Sequence, residues 1–115
     1  MISRSLAART ADFLKNYPPF SFVDMGDLEA LAASISLRYY AEGELVFEAE
    51  SPAQEQFFVL HKGRVELLQP EKQGYRLIDV CDEGESFGLR AMLGRRPYLT
   101  RALVAEDALV YLVPG

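Results

Sequence analysis

The chain predicts an α+β fold dominated by β structure, and three observations predict it. Residues 1–35 set apolar side chains at helical spacing, whereas residues 36–115 break into short apolar stretches punctuated by glycine. At 115 residues the chain can bury one real core and is too short for two. A single domain is therefore expected, with N-terminal helices over 1–35 and a small antiparallel sandwich or barrel over 36–115.

The first helix is predicted from Ile2, Leu6, Phe13 and Tyr17, which fall near one face, and Pro18 and Pro19 end it. A second helix is capped by Asp24, with Leu28, Leu31, Ala32 and Ile35 at i, i+3, i+4, i+7 spacing. Strands follow. LRYY runs to the Glu42-Gly43 turn and ELVF leaves it. QFFVLH runs to a turn at Lys62-Gly63, then RVELL runs to Pro70. The loop EKQG leads into YRLIDV, which ends at DEGES. After an arginine-rich insert come LTRALVA and ALVYLV. Tyr39 and Tyr40 are expected to face opposite sides of their strand.

Charge and composition narrow the chemistry. The net charge is −5, yet residues 90–101 alone contribute +4 from Arg90, Arg95, Arg96 and Arg101, so the remainder carries −9. A locally positive spot on an acidic protein suits a small anion better than a nucleic acid, which is not an expected partner. No apolar run suggests a signal peptide or membrane span, and the lone Cys81 fits a reducing compartment, so cytoplasmic residence is the expectation. Cys81 reads as a small core hydrophobe and His61 as a surface histidine. Asp82, Glu83 and Glu85 lack calcium-ligand spacing and read as a turn. No nucleophile–base set, paired-carboxylate motif, metal cluster or Walker loop is visible, so neither catalysis, a metal nor a cofactor is expected.

Three stretches, AEGELVFEAE, VLHKGRVELL and DEGESFGLRAML, resemble in that order three landmarks of cyclic nucleotide-binding domains. The resemblance covers residues 20–114 and implies a jelly-roll-like antiparallel barrel carrying a phosphate-binding cassette between two late strands. Phe87-Gly88 would open the cassette, Arg90–Leu93 would form its short helix, and Pro97 stands at the family proline. FLKNYPPF, DVCDEGESFGLRAML and YLTRALVAEDALVYLVP look similar to the amino-terminal sensor of bacterial signalling proteins that also carry CBS and nucleotidyltransferase-like domains. That resemblance implies downstream signalling domains in a longer chain. The family normally adds lid helices after VYLVP; this sequence stops at Gly115, leaving an edge that a second copy of the domain could cover.

The resemblance also assigns site residues, and two of them depart from the pattern. A tight turn at Gly88 into a short helix aims backbone N–H groups at one point, and the Ala91 amide matches a family phosphate contact. Leu89 replaces the glutamate that accepts from the ribose 2′-hydroxyl. Tyr98 replaces the arginine that pairs with the cyclic phosphate. Arg101 follows at an odd offset, which points a strand side chain to the opposite face. Glu50 stands where a glycine is usual. Losing both charged contacts costs about 3–6 kcal/mol, or roughly two to four orders of magnitude in affinity. The candidate site is Phe87, Gly88, Leu89, Arg90, Ala91, Arg96, Tyr98, Thr100 and Arg101. Two readings stay open. One is a regulatory sensor with weak or altered binding of a cyclic nucleotide or other small phosphate. The other is a ligand-free interaction or dimerisation module that keeps only the barrel. In the second, the arginines are a solvated loop, Leu89 fills the vacated pocket and Tyr98 caps the barrel.

Overall fold

The computed structural model describes residues 2–115, with side chains from residue 6 onward. It divides into two compact units, Met1–Ser36 and Leu37–Gly115. In the first, helix α1 (Ile2–Leu14) leads through a 3₁₀ turn (Phe20–Phe22) to helix α2 (Met25–Ala32). The prolines do not themselves stop α1. It ends a turn earlier, where the Asn16 amide side chain donates to the Asp12 and Phe13 carbonyls at 3.0 and 3.3 Å. Such side-chain donors satisfy carbonyls that a helix end leaves open.

The expected apolar face of α1 needs correcting. Leu6 is 58% exposed, whereas Ala11 and Leu14 are fully buried. Phe13 and Tyr17 are half-buried with ring centroids 5.0 Å apart. Ile2 lies outside the described side chains. In α2 the Asp24 carboxylate accepts from the Gly26 amide at 3.1 Å, as the cap requires. Leu28 and Ala32 are buried, and Leu31 and Ile35 are half-buried.

The second unit is mostly antiparallel β with one short helix. A six-stranded sheet has the order β1 (Ser36–Tyr40), β6 (Arg101–Pro114), β3 (Gln56–Pro70), β4 (Tyr75–Cys81). Strand β2 (Leu45–Phe47) pairs with β6, and β5 (Ser86–Phe87) pairs with β3. Helix α3 (Leu89–Gly94) lies between β5 and β6.

Two expected strand breaks are absent. β3 runs unbroken through Lys62-Gly63, and β6 runs unbroken through Asp107, because the two pair antiparallel from Gln56↔Pro114 to Leu68↔Arg101. The corner residues appear instead as register shifts between Leu60 and Val65. Such bulges bend a strand without ending it. Gly63 is required there: its φ is +97°, and a Cβ would overlap the Asp107 carbonyl.

Side chains alternate in and out along these bent strands. Val65, Ala102, Val104 and Val110 point into a core that also holds Tyr40, Val46, Leu60 and Cys81. Tyr40 is buried while neighbouring Tyr39 is 56% exposed, the alternation a strand demands. Phe47, Phe58 and Phe87 form an aromatic knot with centroid separations of 5.3–6.1 Å. Each such pair contributes about 0.5–1.5 kcal/mol beyond area burial. Burial pushes the Cys81 thiol up to about 12, so it stays protonated and packs as an apolar group. His61 is only partly at the surface. It is half-buried with its ring centroid 5.1 Å from that of Tyr111, and burial first, then Lys62, lowers its pKa.

Candidate functional site

The turn DEGES sets the site in place. Gly84 donates to the Leu60 carbonyl at 2.8 Å and Leu60 donates back to Glu85 at 3.0 Å. The Glu85 carboxylate accepts from the Asp82 amide at 2.8 Å, closing the turn on itself. These bonds bring β5 beside β3 in the register Phe58↔Phe87, Val59↔Ser86. Gly88 then reverses the chain with φ +78° and ψ 4°. A Cβ there would lie 3.0 Å from Phe58 Cδ2 and 3.3 Å from Phe47 Cε2. Glycine is thus demanded twice, by conformation and by the aromatic knot behind it.

Helix α3 begins at Leu89, one residue before the expected start, and closes at Arg95, which adopts a left-handed φ of 50°. The Arg96 amide donates to the Ala91 carbonyl at 3.1 Å, so the chain folds back over the helix end. The stem of Arg96 covers Gly94, where an added Cβ would meet its Cγ, Cδ and Nε at 3.5 Å. The next segment is pinned by backbone pairing with the loop after β2. Tyr98 donates to Ser51 at 3.1 Å, and Glu50 donates to Tyr98 at 2.7 Å.

Tyr98 is buried, only 3% exposed, as deep as Phe87 among the expected site residues. Its ring stacks on Phe47 with centroids 3.7 Å apart and planes 7° from parallel. Its hydroxyl accepts from the Gln54 amide at 3.1 Å. An aromatic stack with a satisfied hydroxyl thus fills the position that the resemblance gives to an arginine.

In front of this stack lies a cavity of about 800 Å³. Of the expected residues, Phe87, Gly88, Leu89, Arg90, Ala91, Arg96, Tyr98 and Thr100 line it together. Arg101 does not line this cavity. Its guanidinium makes a two-point contact with Glu48, Nε to Oε1 at 3.0 Å and Nη2 to Oε2 at 2.6 Å. It also lies 4.0 Å above the Tyr75 ring. The Arg101 hydrogen bonds, then that from the Ala49 amide, hold the Glu48 carboxyl below its ordinary pKa. Donating to Glu48 raises the Arg101 pKa in turn.

Sequence reasoning missed several lining residues, notably Leu67, Ile78, Asp79, Ser86 and Leu99. Ile78 and Asp79 are adjacent, yet both reach the cavity. The β3–β4 register explains how: Leu67 pairs with Asp79 but Leu68 pairs with Leu77, so Ile78 is an extra, bulged residue. Nothing in YRLIDV marks that bulge. The cavity is mainly apolar, with Arg90, Arg96 and Asp79 as its charged groups. Among the described residues no cluster of His, Cys, Asp and Glu could hold a metal ion, and no helix is long and apolar enough to cross a membrane.

Known structures share this arrangement of sheet, turn and short helix. The cAMP-bound regulatory domain of Toxoplasma gondii protein kinase A matches with a TM-score of 0.87 at 13% identity, covering 96% of this chain and 42% of that one. The regulatory subunit of a cAMP-independent protein kinase A from Trypanosoma brucei matches at 0.88 with 15% identity, covering 98% and 42%. The sensor domain of the transcriptional regulator DNR from Pseudomonas aeruginosa matches at 0.83 with 21% identity, covering 94% and 73%. The chain therefore spans less than half the length of the Toxoplasma regulatory domain and of the Trypanosoma regulatory subunit. No curated protein matches the sequence significantly. The sequence itself fits the model of the cyclic nucleotide-binding domain over residues 37–115, from the first strand through the cassette to the last, and the chain belongs to that family.

Proposed function

We propose that this chain is the non-catalytic sensor domain of a bacterial signalling protein, and that it binds cyclic nucleotides weakly or not at all. The carrying observation is Tyr98. A residue stacked at 3.7 Å on Phe47 and bonded through its hydroxyl to Gln54 offers a phosphate no cation where the family resemblance places one. Leu89 lines the same cavity where the resemblance places a ribose-binding glutamate. The fold is compatible with this outcome, since it is shared by a cAMP-bound regulatory domain and by the regulatory subunit of a cAMP-independent kinase. Family domains are typically regulatory modules, and this one would act in the cytoplasm through downstream domains of a longer chain. Calorimetric titration with cyclic AMP and cyclic GMP tests the reading. Millimolar affinity or no heat is expected, and a micromolar or tighter site would overturn it.

A second reading is a ligand-free interaction or dimerisation module. Leu93 and Leu99, 70% and 80% exposed on either side of the arginine loop, favour it. Sedimentation of the ligand-free chain separates the two, because only the module reading requires self-association or a protein partner in the absence of ligand.

A further inference from the structure

The cavity inverts the polarity that a cyclic nucleotide needs. Its deep end is the Phe47–Tyr98 stack and its walls include Leu67, Ile78 and Leu89. Its two cations, Arg90 and Arg96, are exposed lining residues, and neither is in an ion pair among the described residues. The Arg96 side chain lies beside Gly94 at the end of the short helix. A ligand with its charge buried and its body outside would set an anion against aromatic carbon. The reverse orientation satisfies both ends: apolar body inward, anionic head at the arginines.

Asp79 restricts the head further. The regular pairs Val65↔Cys81 and Leu67↔Asp79 set this carboxylate on the cavity wall, where Oδ1 accepts from the Val80 amide at 2.8 Å. With two arginines and one aspartate, the lining has a net charge that balances a single negative charge better than two. A cavity of about 800 Å³ is ample for a drug-sized ligand. We propose that this site binds an apolar organic monoanion, with an aliphatic or aromatic body and a carboxylate-type head. The proposal rests on the sensor reading above and names the ligand class that the altered site would take.

The probes are decanoate, decanol, decyltrimethylammonium and inorganic phosphate, titrated separately into the full chain and followed by calorimetry. Decanoate is expected to bind at least about tenfold more tightly than decanol, the value of one charge-assisted contact. The ammonium probe and inorganic phosphate are expected to bind worst. Arg90→Ala with Arg96→Ala should lower decanoate affinity to that of decanol, and Asp79→Asn should raise it. Thr100→Trp, which fills the cavity, should abolish binding. Since Thr100→Trp could unfold the chain, Leu89→Trp serves as a second filling variant, with circular dichroism confirming that at least one is folded.

Equal binding of decanoate and decanol would overturn the proposal. So would decanoate binding that survives in a folded filling variant, or inorganic phosphate binding as well as decanoate. Micromolar cyclic AMP would instead overturn the weak-binding reading of the sensor. Binding of none of these compounds would overturn the ligand class and leave the interaction-module reading standing.

Discussion

Tyr98 and Arg101 occupy the same short approach to β6 and end on opposite sides of it. Tyr98 is sealed inside on Phe47, whereas Arg101 stands outside between Glu48 and the Tyr75 ring. Ala102, next to Arg101, is fully buried, so strand alternation sends Arg101 outward, whereas Tyr98 precedes the strand and is held inward by its backbone bonds to Glu50 and Ser51. Local arginine content therefore says little about a phosphate site. What counts is the side on which the backbone places each position, and here the inward position is aromatic while the outward arginine is already paired.

The comparison breaks most decisively if the inner side is given back the missing charges. Leu89→Glu with Tyr98→Arg restores both residue types that the family resemblance assigns to ribose and phosphate. Cyclic AMP affinity should rise by about two to four orders of magnitude over the unaltered chain, measured by calorimetry. The same variant should be less stable without ligand, because an arginine buried at a 3%-exposed position has no partner there. No gain in affinity from a folded double variant would show that the cavity excludes the nucleotide by shape rather than by charge.

Gly88→Ala tests the wall behind Tyr98. The added Cβ meets Phe58 at 3.0 Å and Phe47 at 3.3 Å, at a φ of +78° that L residues rarely adopt. Left-handed strain and overpacking together should cost about 2–4 kcal/mol in urea denaturation. A loss below 1 kcal/mol, on the order of ordinary surface substitutions, would mean the aromatic knot yields easily.

On the outer side, Glu48→Gln should act through pH. The Arg101 contact lowers the Glu48 pKa in the folded chain, so its stabilising effect is complete above the ordinary value of 4.5 and is lost as pH falls through the folded value. The stability gap between the unaltered chain and Glu48→Gln should therefore be widest near neutral pH and close in acid. A gap that is constant with pH would show that Glu48 acts by packing alone. The effect should be smaller than that of Gly88→Ala, since the Glu48 side chain is 42% exposed.

The sequence reveals local features well and pairings poorly. The Asp24 cap, the glycine-rich corners and the Phe87-Gly88 turn each depend on one or two neighbouring residues, and each is legible. Eight of the nine expected site residues line one cavity because the cassette is a continuous stretch between two strands. The rest depends on distant partners. Glu48 and Arg101 are separated by 53 residues, and the bulge that brings Ile78 to the cavity beside Asp79 exists only in register with β3. Lys62-Gly63 looked like a turn because glycine marks bulges and turns alike; only the pairing of β3 with β6 distinguishes them. Leu6 shared a helical stripe with Phe13 and Tyr17 but is exposed, since helical spacing does not say which part of a stripe meets a partner.

The smallest expected effect lies at Glu50, whose amide holds the Tyr98 carbonyl at 2.7 Å. Glu50 has a φ of +68°, so the backbone keeps a left-handed conformation where the resemblance leads one to expect glycine. That conformation costs a side-chain-bearing residue about 1–2 kcal/mol, while glycine loses about 0.5–1 kcal/mol more entropy on folding. Glu50→Gly should therefore stabilise the chain by up to about 1 kcal/mol, read as a rise of a few degrees in Tm. Cyclic AMP binding should not change, because Glu50 does not line the cavity. A drop in Tm would show that the exposed Glu50 side chain makes a stabilising contact that outweighs its backbone strain, and the loop that anchors Tyr98 would then depend on that contact rather than on the Glu50–Tyr98 backbone bond alone.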